Sequence, residues 1–141
     1  MQSGKKLEEM FFEYFMPDKY FGFRKASEKE DIEEGTDFFC DGLRFDLTED
    51  FRGKDHMVQD KQFQIELNLP WAMVSLGIRT GNNKSCFKEA VVVIGVMAYS
   101  YDSAKTIVNE LSRNWEQVSE KAFDLWCNYN DYVEQLSTQS L

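Results

Sequence analysis

Apolar residues recur every three or four positions at both ends of the chain, which is the pattern of amphipathic helices. Between 104 and 136 this spacing continues, and Asn114, a candidate N-cap, predicts a break or bend near 112–115. A dimerising C-terminal helix, giving a homodimer, is the competing explanation for such a long pattern. The N-terminal stripe predicts one helix that ends at Pro17 and consists of Leu7, Met10, Phe11, Tyr14 and Phe15.

The segment after the first helix carries two local signals. Ser27 and Glu30 have the spacing of a capping box, and Gly35 follows where a helix-terminating glycine is expected, so a short helix is predicted over 28–34. The dipeptide Asp41-Gly42 then separates two alternating runs, which is typical of a β-hairpin, because its tight turn needs positive φ at both central residues.

Further alternating or apolar runs predict strands at 73–80 and 89–97, and a strand or arm at 63–69. The order of elements predicts an α+β (mixed α/β) domain with a small central sheet of about four strands and helices packed on it. We predict a single domain over 1–141, with a core at about 5–100 and a helical region at about 102–137.

The net charge of −9 argues against non-specific duplex binding by bulk charge. Residues 28–50 hold ten acids and two bases, so most of the negative charge is concentrated there. A single histidine excludes most zinc enzymes, and three widely spaced cysteines indicate reduced thiols in a cytoplasmic protein. No long apolar run or secretory segment is present in the sequence, so no membrane association is expected.

A pair of carboxylates stands out in the predicted hairpin. With a two-residue turn, cross-strand partners place Asp37 opposite Asp46 on one face. Such like charges need a bound cation, a shared proton or a nearby base, and Mg²⁺ or Mn²⁺ favours carboxylate oxygens. The alternative is that both acids point into water at a sheet edge.

These residues resemble a known metal site. Ala26-Ser27-x-x-x-Asp31, Gly35-Thr36-Asp37-Phe38 and the run 42–48 together are similar to the hairpin of the PD-(D/E)XK (restriction-endonuclease-like) nucleases, in particular small proteins of phages and mobile elements. The resemblance implies that Asp37 and Asp46 are the metal-binding and catalytic acids. The family has a lysine where this chain has Thr48.

Several other residues are candidates for the same site. Lys54 is the predicted catalytic replacement for the missing lysine, with Lys61 and Lys88 as alternatives. A third metal ligand is predicted at Glu66, and Glu9 or Glu13 of the first helix is a further candidate. Arg79 and Lys88 flank a polar turn and are the predicted phosphate-binding residues, because guanidinium and ammonium groups pair with phosphate oxygens.

Two functions therefore remain open. The first is a Mg²⁺- or Mn²⁺-dependent nuclease acting on nucleic acid, or a catalytically degenerate relative of one. The second is a non-enzymatic acidic protein whose residues 28–50 dock on a basic partner protein.

Overall fold

The computed structural model describes residues 4–15, 22–81, 86–100 and 103–139. Within these ranges six strands form one mixed sheet in the order β1-β2-β3-β6-β5-β4, with helices packed against it. The elements are α1 (Gly4–Tyr14), β1 (Arg24–Lys25), α2 (Glu28–Glu34), β2 (Phe38–Cys40), β3 (Leu43–Thr48), β4 (Gln64–Asn68), β5 (Ala72–Gly81), β6 (Cys86–Ala98), α3 (Ala104–Arg113) and α4 (Trp115–Gln139).

The mixed α/β class is confirmed, but the predicted number of about four strands is too low. The two residues of β1 are too few to show any alternation, so the sequence gives no signal for this strand. The segment considered as a strand or arm at 63–69 forms β4, after a 3₁₀ turn at Lys61–Phe63.

The predicted hairpin and its register are confirmed. Asp41 and Gly42 have φ of 52° and 80°, and Phe38 pairs with Phe45 while Cys40 pairs with Leu43. On its other side β3 runs parallel to β6, whereas β6, β5 and β4 are antiparallel neighbours. After the hairpin of β2 and β3, the chain forms β4 at the opposite edge of the sheet and β5 next to it. Strand β6 then lies in the middle of the sheet, between β5 and β3.

The two faces of the sheet differ in what covers them. Helices α1, α3 and α4 pack on one face, where Trp115 is fully buried and its ring lies 5.5 Å from that of Phe45. The opposite face carries Asp46 and Thr48, since side chains alternate along β3. A long segment at 49–60 covers part of this second face and separates β3 from β4 in the chain.

The helix ends follow local chemistry. The capping box of Ser27 and Glu30 and the left-handed Gly35 (φ 61°) delimit α2, as predicted. The predicted break near 112–115 is present between α3 and α4. The side chain of Asn114, however, bonds to the end of α3 and not to the start of α4, since its Nδ2 donates to the carbonyl oxygen of Glu110 at 2.8 Å. Among the described residues, no helix is long and apolar enough to cross a membrane.

Candidate active site

The site begins where β2 stops pairing with β3. Asp37 lies one residue before β2, and its N–H donates to the carbonyl oxygen of Phe45 at 2.8 Å. Its carboxylate Oδ2 accepts the N–H of Leu47, also at 2.8 Å. Beyond the last residue of β2 that pairs with β3, the side chain of Asp37 thus accepts the backbone hydrogen bond that a strand residue would otherwise accept. This contact fixes its carboxyl group beside Asp46.

Asp37 and Asp46 form a buried acidic pair. They are 6% and 4% exposed, so the alternative in which both point into water does not apply. Burial, the charge of Asp46 and a hydrogen bond shared with Asp46 raise the pKa of Asp37 to about 9. At neutral pH the pair therefore holds a proton on Asp37.

Two cations approach the same carboxylate oxygen of this pair. Lys54 Nζ lies 2.9 Å from Asp46 Oδ2, and Arg79 Nη1 lies 3.7 Å from it. Arg79 Nε also donates to the carbonyl oxygen of Asp55 at 3.1 Å, which ties this guanidinium to the segment that carries Lys54. From the sequence, Lys54 is the predicted catalytic lysine and Arg79 a predicted phosphate-binding residue, and the fold brings both to Asp46.

A cavity of about 730 Å³ opens onto the acidic pair. It is wide enough for a phosphodiester group and its neighbouring sugars, because small-ligand pockets typically span roughly 300–1,000 Å³. Carboxylates outnumber bases along its wall, so an uncompensated anion would be repelled unless a cation binds first. The charged lining consists of Glu8, Glu9, Asp31, Asp37, Asp46, Lys25, Lys54 and Arg79.

Three carboxylates of this wall could hold a metal ion. One oxygen from each of Glu8, Asp31 and Asp37 lies within 4.8 Å of the other two. Burial and the charges of Asp31 and Asp46 raise the pKa of Glu8, which indicates that these acids crowd one another. An all-oxygen donor set of this kind suits Mg²⁺ or Mn²⁺, and a cation bound there would have to displace the proton of Asp37.

Sequence reasoning missed two of these three acids. Glu8 directly follows Leu7 of the apolar stripe and lies at its flank, next to Glu9, whereas the sequence indicates Glu9 or Glu13 as the candidate ligand of this helix. Glu9 does line the cavity, whereas Glu13 is exposed and does not. Asp31 was part of the motif that carried the resemblance, but only the fold shows that α2 points it at Asp37.

Glu66 does not join this site, which corrects its prediction as a third metal ligand. It is exposed on β4, and β5 and β6 separate that strand from β3. Neighbouring strands are about 4.8 Å apart, so three steps across the sheet put roughly 14 Å between them. Lys61 is also exposed and lines a different cavity with Glu66, while the side chain of Lys88 lies outside the described residues.

Comparison of the chain with protein-family models, with curated proteins and with solved structures found no match. The geometry of the cavity therefore carries the functional argument.

Proposed function

We propose that this chain is a Mg²⁺- or Mn²⁺-dependent nuclease with a restriction-endonuclease-like core, in which Lys54 replaces the lysine that the motif lacks at Thr48. The observation that carries the proposal is the contact of 2.9 Å between Lys54 Nζ and the buried Asp46, beside Asp37 in an acidic cavity. A lysine reaching an acidic pair from outside the motif restores the set of groups that phosphodiester hydrolysis needs.

The carboxylates of the cavity have two different roles, metal binding and the positioning of Lys54. Glu8, Asp31 and Asp37 would hold the ion, and Asp37 has to release its proton to do so. When bound, the ion acts as a Lewis acid on a phosphate oxygen and lowers the pKa of bound water. Asp46 keeps the ammonium group of Lys54 inside the cavity, where it would orient the attacking water and stabilise the charge that develops on phosphate.

Arg79 supplies a second positive charge at the same wall. Its guanidinium lies near Asp46 and is fixed to the carbonyl oxygen of Asp55, so it is already oriented in the absence of substrate. A guanidinium can donate two parallel hydrogen bonds to a phosphate, which would select the orientation of the scissile group. The predicted role of Arg79 as a phosphate-binding residue is therefore part of the proposal.

Docking of residues 28–50 on a basic partner remains the alternative. Its acids do not form one solvent-facing surface, because Asp37 and Asp46 are buried in the cavity wall. Glu30 is already bound by Arg24 through two hydrogen bonds of 3.0 and 2.9 Å. These observations favour the nuclease, since a docking surface requires exposed and unpaired charge.

Cleavage of labelled single- and double-stranded DNA and RNA, with Mg²⁺, Mn²⁺ or EDTA, tests the proposal. We expect metal-dependent cleavage that falls by about 100-fold or more in Lys54→Ala, the usual size of a lost acid–base or charge-stabilising group. Lys61→Ala is the matched control, because Lys61 is exposed and lies away from the cavity. Absence of cleavage on every substrate, together with no metal binding, would refute the nuclease and leave the docking protein.

A further inference from the structure

The segment at 49–60 holds the flexible side chain of Lys54 against the carboxylate of Asp46. Lys54 follows the end of β3 by six residues, yet its ammonium group comes back to Asp46 within that same strand. Holding a lysine side chain in one conformation costs conformational entropy, in addition to the cost of ordering its backbone. Some contact must therefore fix this segment on the sheet.

Two glycines of the sheet provide a notch for Phe51. A Cβ atom at Gly95 would lie 2.5 Å from Cβ of Phe51, and one at Gly77 would lie 2.5 Å from Cε of Met57 and 2.8 Å from Cζ of Phe51. Distances this short leave no space for any side chain at either position. The absence of Cβ atoms on two neighbouring strands thus lets the ring of Phe51 lie directly against the sheet.

The notch lies on the same face as the active-site acid. Asp46 pairs with Val93, which in turn pairs with Gly77, so these three residues form one row across β3, β6 and β5. Thr48, Gly95 and Ser75 form the next row in the same way. Phe51 contacts both rows, with its Cβ at Gly95 and its ring tip at Gly77, so it lies on the face of Asp46 and not on the helix-covered face.

Short turns connect Phe51 to Lys54 on one side and to β3 on the other. The N–H of Asp50 donates to Thr48 Oγ1 at 3.0 Å, and the N–H of Gly53 donates to Asp50 Oδ1 at 2.9 Å. The N–H of Lys54 then donates to the carbonyl oxygen of Phe51 at 3.4 Å. Thr48, which occupies the position of the motif lysine, therefore begins the turn that leads to Lys54, the proposed replacement for that lysine.

We propose that Phe51 is a positioning residue: its ring, seated on Gly77 and Gly95, holds Lys54 against Asp46. The catalytic consequence of this rests on the proposed nuclease function, but the placement of Lys54 does not. Two experiments separate these questions.

The first experiment measures the placement of Lys54 without activity. The metal-free full chain is acylated with an amine-reactive ester, and the rate at each lysine is followed by mass spectrometry, with exposed Lys121 of α4 as internal reference. We expect acylation of Lys54 to rise about 5-fold in Phe51→Ala and about 2-fold in Phe51→Leu, because the ammonium group loses its fixed contact with a buried carboxylate. The acylation rate of Lys121 should not change.

The matched control is Phe123→Ala, which removes the same atoms from an exposed position on α4. Circular dichroism establishes that each variant is folded, and Phe51→Leu carries the test if Phe51→Ala does not fold. An unchanged rate at Lys54 in a folded Phe51 variant would overturn the proposal.

The second experiment is a double-mutant cycle on cleavage. Phe51→Ala should lower kcat by about 10-fold with KM unchanged, and the double variant with Lys54→Ala should be no slower than Lys54→Ala alone. Independent, multiplying losses would show that Phe51 acts on something other than Lys54. If Lys54→Ala itself leaves cleavage unchanged, the proposed nuclease chemistry fails, while the acylation rates still decide the role of Phe51.

Discussion

Asp37 should make the protein less stable than an uncharged side chain would at neutral pH. Its pKa is about 9 in the folded chain, against an ordinary value of 3.8. Between these two values the unfolded chain releases the proton while the folded chain keeps it. The free energy of unfolding therefore falls as pH rises through this window, and it levels off above the folded pKa.

Asp37→Asn removes this penalty without changing the shape of the side chain. The amide oxygen can still accept the N–H of Leu47, and the amide N–H₂ can donate to Asp46 as the protonated acid does. At pH 7 the native chain has lost stability over about three pH units, or about 4 kcal/mol at 1.36 kcal/mol per unit. Allowing for relaxation of the paired carboxyls, we expect the variant to be about 2–4 kcal/mol more stable at pH 7.

Thermal unfolding of the full chain in EDTA at pH 5, 6, 7 and 8, followed by circular dichroism, measures this effect. At about 3 °C per kcal/mol, Tm of Asp37→Asn should exceed that of the native chain by roughly 6–12 °C at pH 7, and by less at pH 5. Asp131→Asn on the exposed end of α4 is the control and should change nothing. A variant with the same pH dependence as the native chain, or a lower Tm at pH 8, would refute the assignment of a buried proton to Asp37.

Three further results are expected. Mn²⁺ should raise Tm of the native chain by several degrees but not that of Glu8→Gln, whereas Glu66→Gln should respond like the native chain, because Glu66 lies outside the acidic cavity. Calorimetry of Mn²⁺ binding at pH 7 in buffers of different ionisation enthalpy should show release of about one proton, which Asp37 gives up to bind the ion; no buffer dependence would contradict this. Burial raises the pKa of the Cys40 thiol to about 12, so mass spectrometry after alkylation at pH 8 should find Cys40 unmodified until the chain unfolds.

The parts of this fold that the sequence predicts correctly depend on neighbouring residues. The turn at Asp41-Gly42 and the cap at Ser27 are determined by residues within a few positions, so their conformations can be inferred without the rest of the chain. That turn also brings Asp37 near Asp46, because the hairpin register extends outward to Phe38 and Phe45, and Asp37 lies one residue beyond this last pair.

The other members of the candidate site come together only through tertiary packing. Glu8 reaches Asp37 because α1 packs on β3, and nothing near Glu8 in the sequence specifies that contact. The return of Lys54 depends on Gly77 and Gly95, which become neighbours of Phe51 only after β5 and β6 pair. Glycines inside strands do indicate a close approach, but the sequence does not say by which side chain.

The cost of the buried acids bears on the choice between the two functions. A docking surface gains nothing from placing Asp37 and Asp46 together inside a cavity, because charge acts on a partner best when it is exposed. A metal site needs that arrangement, because a cation that displaces the proton of Asp37 is held by several carboxylate oxygens, and these contacts offset the free energy of releasing the proton. The segment 49–60 adds to this argument, since it brings Lys54 to an oxygen of Asp46 instead of leaving it in solvent. Asp37→Asn should therefore gain stability in the absence of metal and lose metal binding, and the nuclease proposal requires the second change as well as the first.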